Sequence, residues 1–99
     1  MDVSLLTVNS FNSLVNRVFV IKISKEIQHD AELISVTEFN SYSPLQRTPF
    51  SLVFRTQQKD EYYEQGILTV IHPEEGDLEL FLTPLGFDEV GMKYEAVFS

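Results

Sequence analysis

The stretch that most constrains this chain runs from residue 66 to residue 98. Residues 67–71 and 78–82 are almost continuously apolar, residues 92–98 alternate, and Pro73, Gly76, Asp77, Pro84, Gly86 and Gly91 punctuate them. Strand-forming runs of this length between turn-forming residues predict two successive hairpins, an antiparallel meander. In the last run Met92, Tyr94, Ala96 and Phe98 fall on one face, with Lys93, Glu95 and Val97 on the other.

The remainder of the chain repeats that grammar more loosely. Residues 17–25 place Phe19, Ile21 and Ile23 opposite Val18, Val20 and Lys22, which predicts a first strand. Residues 31–40 form a second, with Leu33, Ser35, Thr37 and Phe39 opposite Ile34, Val36 and Glu38. A turn-rich segment holding Pro44 and Pro49 follows, and then a third strand with Phe50, Leu52 and Phe54 facing inward. Residues 5–15 differ: Thr7 or Asn9 can cap a helix, and Leu6, Phe11, Leu14 and Val15 lie near helical spacing. Two or three turns do not stand alone in water, so this helix is expected to lie on the β core. The expected fold is all-β: about six antiparallel strands in a small barrel or a two-sheet sandwich, with one short N-terminal helix. It forms one domain over residues 1–99, helical in 1–16 and β in 17–99. No internal repeat is visible.

Charge narrows the function classes. The net charge is −8, and residues 60–99 hold ten acids against Lys93 alone, whereas residues 1–59 hold five acids and six bases. Such a half repels phosphate, so neither a nucleic-acid nor a membrane partner is expected. There is no cysteine, which removes disulfides and thiolate chemistry. The chain has no signal-like start and no apolar run long enough to span a bilayer, so the expected setting is the cytoplasm, or a particle assembled from it.

Few residues suggest chemistry. His72 lies near Glu74, Glu75 and Asp77, but a zinc site needs three ligands of defined geometry and only His29 offers a second imidazole; a solvated hairpin turn is the plainer reading. Asp60, Glu61, Glu64, Asp88 and Glu89 lack the spacing of a calcium loop. A nucleophile elbow, a phosphate-binding loop and a dinucleotide fingerprint are all absent from the sequence. No catalytic residue, metal or cofactor is assigned, and the chain is not expected to be an enzyme.

Residues 49–55, Gln65-Gly66, His72-Pro73-Glu74, Pro84-Leu85-Gly86 and Gly91-Met92-Lys93-Tyr94-Glu95-Ala96-Val97-Phe98, taken together, resemble an uncharacterised family of small bacterial domains. The last segment is the most specific part. The resemblance implies a free-standing domain without assigned activity, loosely associated with phage-tail-collar-like proteins, and it brings no catalytic residues.

The function expected from the residues is a non-catalytic interaction or assembly module. It would use strand edges or an apolar β face to dock a protein, either a second copy of itself in a homo-oligomer or a tail-fibre-like partner. The candidate contact residues are Tyr42, Tyr62 and Tyr63 in loops, and Val70 and Leu80 in strands with apolar residues on both faces. One alternative is a small-ligand barrel lined by Phe19, Phe50, Phe54, Phe81, Tyr94 or Phe98. A remoter one is a hydrolase using His72 and a nearby acid.

Overall fold

Two strands of unusual length organise the computed structural model, which describes residues 3–39 and 49–98. They are β2 (Gln28–Glu38) and β5 (Gly76–Phe87). Each is flanked by shorter strands: β1 (Val18–Lys22) and β3 (Phe50–Arg55) beside β2, β4 (Gly66–His72) and β6 (Met92–Phe98) beside β5. All neighbours are antiparallel, and among the described residues the six strands close into a barrel in the order β1-β2-β3-β6-β5-β4. The expected all-β class, and the barrel in particular, is what the chain forms. Closure gives every strand two neighbours, although the two long strands are paired on one side only along much of their length.

The barrel is two three-stranded meanders joined along two seams. β3 meets β6 over six residue pairs, whereas β1 meets β4 over three, Val20–Ile71, Ile21–Val70 and Lys22–Thr69. Equivalent strands of the two meanders therefore face each other across both seams, a topological twofold without a matching sequence repeat. Each long strand changes neighbours midway: β2 at Glu32, from β1 to β3, and β5 at Leu82, from β4 to β6. Each also carries a bulge, between Leu33 and Ser35 and between Pro84 and Gly86. An extra residue bends and twists a strand, which is what closing so small a barrel needs.

The first bulge corrects the predicted facing of β2. Leu33 pairs with Phe54 and Val36 with Leu52, so the inward register passes from odd to even positions across Ile34. Phe39, expected beside Leu33, is consequently more than a third exposed. The second bulge explains a proline inside a strand. Beyond the Gly66–Leu82 pair β5 keeps only β6 as a neighbour, so Pro84 interrupts no two-sided ladder, and Gly86 takes φ 130°.

The helical N-terminal segment takes the form of three 3-10 turns, Val3–Leu5, Val8–Ser10 and Asn12–Leu14. Asn9, Ser10, Asn12 and Ser13 compete for backbone groups with their own side chains, which disfavours a continuous α-helix. Val8, Phe11 and Leu14 recur every three residues, the period of a 3-10 turn. Phe11 is fully buried and plugs one end of the barrel, its ring 5.3 to 6.3 Å from those of Phe19, Phe50, Phe98 and His72. Asn16, at φ 74°, turns the chain so that its N–H donates to the Leu33 carbonyl and enters β1.

Side chains fill the interior. Phe19, Phe50, Phe54, Tyr94 and Phe98 pack there with Leu33, Leu52, Val70, Leu78 and Leu82, and Phe50 stacks on Phe98 at 4.5 Å. Phe81, expected among them, lies outside. Among the described residues no helix is long and apolar enough to cross a membrane.

Candidate functional site: the outer face of the second meander

The structure separates the candidate residues into three places. Val70 and Leu80 are 0 % and 4 % exposed, inside the barrel, and cannot touch a partner. Tyr42 lies outside the described residues. Tyr62 and Tyr63 are adjacent in sequence but opposite in role.

Tyr63 closes the second end of the barrel. Its backbone N–H donates to the Tyr94 hydroxyl at 3.0 Å, and its own hydroxyl lies 3.1 Å from His29 Nε2. The Tyr94 hydroxyl donates in turn to Gln58 Oε1 at 2.8 Å, where the Thr56 hydroxyl also donates at 2.9 Å. Burial pushes the Tyr94 phenol above its usual pKa, so it serves here as a hydrogen-bonding group rather than an acid. The Gln58 amide nitrogen is buried without a partner, beside an apolar gap lined by Ile21, Ile23, Leu68 and Leu82 that is too narrow for a water molecule. Tyr62 points out, its ring edge-on to Phe87 at 6.3 Å, beside an open groove of about 330 Å³ formed with Pro84, Leu85 and Gly86.

His72 is not in a solvated turn. It is 2 % exposed, and its Nδ1 accepts the backbone N–H groups of Glu74 and Glu75, each at 3.0 Å. That pattern assigns the proton to Nε2, which donates to the Ser10 carbonyl at 2.9 Å. The imidazole latches the β4–β5 turn to the N-terminal plug. Neither ring nitrogen is left for a metal or a substrate, and among the described residues no three of His, Asp and Glu come together to hold a metal ion.

Arg55 ties the two meanders together. Its guanidinium donates to Glu32 of β2 at 3.1 Å and to Asp88 of the β5–β6 turn at 3.0 Å. Asp88 also accepts the backbone N–H groups of Gly91 and Val90, and these bonds, with Arg55, hold its carboxyl down at about 2. Gly91 is required there by space, because a Cβ would fall 1.8 Å from the Thr56 carbonyl oxygen. These groups are engaged with one another, as befits a clasp.

A further surface open to a partner is the outside of β4, β5 and β6. Ile67 pairs with Phe81, and Val97 stands on β6 one step past Leu82–Ala96, the pair at which the β5–β6 ladder ends. The three form one row across adjacent strands and are 68 %, 53 % and 58 % exposed. Two residues along β5 lies Glu79, and two residues along β6, in the opposite direction across the row, lies Glu95. The row is thus an apolar bar between carboxylates, in the half of the chain that carries ten acids.

Apolar residues lie on both faces of β4 and β5, and the expected contacts Val70 and Leu80 fall on the inward one. The signal was present in Glu79: a carboxylate among Leu78, Leu80 and Leu82 marks the odd positions as outward, and Phe81 is odd.

No curated protein and no solved structure matches the chain. A family model does, over residues 6–98. The chain belongs to the family described as a domain of unknown function, DUF6916.

Proposed function

We propose that this barrel is a non-catalytic docking module whose β4-β5-β6 face binds a basic protein. The observation that carries this reading is the exposed row Ile67, Phe81 and Val97 between Glu79 and Glu95. Burying such a row gives a contact its driving force, and flanking carboxylates select partners with a positive rim and speed their encounter. A second copy fits poorly, because two such faces brought together set Glu79 and Glu95 of one against those of the other in a chain of net charge −8. The setting that follows from the resemblance of the C-terminal segments is the assembly of phage-tail-like parts, in the cytoplasm or in the finished particle.

The test is a photo-crosslinking residue at position 97, expressed in the native host, with the same residue at exposed Val18 of β1 as the control. The expected result is an adduct to a protein of basic surface from position 97 alone, lost when Phe81→Ser is added. Adducts from both positions alike, none from position 97, or an adduct only to a second copy would each overturn the reading.

A further inference from the structure

Resting on that reading, we infer that the element docked on the face is a basic amphipathic α-helix of the partner, lying across the strands along the row Ile67–Phe81–Val97. The row runs perpendicular to β4, β5 and β6, so its residues are set by the strand spacing. Neighbouring strands are about 4.8 Å apart, and three side chains in a row therefore span about 9.6 Å. A helix presents apolar side chains on one stripe at i, i+4 and i+7, rising about 10.5 Å over those seven residues. The two repeats agree within about 1 Å. An extended segment laid along the same row shows same-face side chains about 6.8 Å apart and needs about 13.6 Å for three, so it loses register by the third.

The charges fit the same occupant. Glu79 and Glu95 stand on opposite sides of the row, each two residues along its strand from an apolar member, or about 6.8 Å away. A helix about 10 Å across, seated on the bar, brings the residues flanking its apolar stripe over both carboxylates. Lysine and arginine suit those positions, since their stems cover apolar surface while the charged heads reach outward. Glu79 accepts a hydrogen bond from the Thr69 hydroxyl of β4 at 2.8 Å, which holds that carboxylate beside the row.

The experiment uses the whole chain and three labelled peptides in a fluorescence-anisotropy titration. The first has leucines at i, i+4 and i+7 flanked by lysines on alanine; the second has the same leucines and lysines with two central alanines replaced by proline; the third alternates leucine and lysine to favour an extended form. The expected result is that the first binds at least tenfold more tightly than the other two. Phe81→Ser and Val97→Ser should each weaken it about tenfold, and Glu79→Gln with Glu95→Gln should weaken it again and flatten its salt dependence. Val18→Ser should leave it unchanged. If the alternating peptide binds as well or better and still depends on Phe81, the docking face stands and the helix is wrong. If no peptide binding responds to Phe81→Ser or Val97→Ser, both the helix and the docking reading fall.

Discussion

Single residues carry unequal weight in this barrel, and Gly91 is the sharpest case. The Thr56 carbonyl occupies the space of its missing side chain, and the Thr56 N–H donates to the Met92 carbonyl at 2.9 Å, so β3 and the β5–β6 turn meet backbone to backbone. Gly91→Ala should therefore destabilise by about 3 kcal/mol, as overpacking against backbone that cannot yield does. In a domain of this size that lowers the melting temperature by more than about 10 °C, measurable by circular dichroism. His72 gives a second residue-scale prediction. His72→Ala opens a cavity beside Phe11 and Phe19 and strands the Ser10 carbonyl and two backbone N–H groups, a loss of about 2 to 4 kcal/mol in urea unfolding. His72→Phe, which keeps ring volume, should recover only part of it.

Asp88 sets a pH dependence at the same scale. Its folded carboxyl, at about 2, lies below its ordinary 3.8, so the folded state binds its proton less readily than the unfolded state does. The stabilisation is complete above the ordinary value and is lost as pH falls from there through about 2. Wild type should exceed Asp88→Asn in stability at neutral pH, and urea titrations should show the gap shrinking across that acid window. A gap that stays constant down to the lowest pH would contradict the assignment.

At the scale of elements, the strands were largely legible and the joints between them were not. Phe50, Leu52 and Phe54 in β3, and Met92, Tyr94, Ala96 and Phe98 in β6, lie on the faces that alternation predicts, because each strand holds one register from end to end. β2 and β5 escaped because each serves two neighbours and carries a bulge where a one-residue step reverses inside and outside. Leu33 before Ile34 and Val36 after it give no sign of which face is inward after the step. Leu6, Phe11, Leu14 and Val15 lie near helical spacing, but the asparagines and serines of the N-terminal segment divide it into single turns whose order comes from Phe11 in the barrel end. Phe11→Ala should accordingly cost about 3 to 5 kcal/mol and release the whole segment, seen as loss of amide-exchange protection at Phe11, Leu14 and Asn16.

The whole molecule divides inside from outside in a way that bears on function. The aromatic residues that would line a ligand chamber pack on one another and on Phe11, while the two barrel ends are closed by Phe11 with His72 and by Tyr63 with Tyr94 and Gln58. The acidic second meander keeps Ile67, Phe81 and Val97 outside, where they add nothing to the core. The candidate face was the least legible part of the chain, since it depends on three strands being adjacent and in one register, which no single run of residues reveals. The most direct test of the account is amide chemical-shift mapping of the labelled chain titrated with the lysine-flanked helical peptide. The account predicts shifts concentrated at Ile67, Glu79, Phe81, Glu95 and Val97, with β1 and β2 unmoved. Shifts centred on the Tyr62–Phe87 groove or around Arg55, or none at saturating peptide, would contradict it.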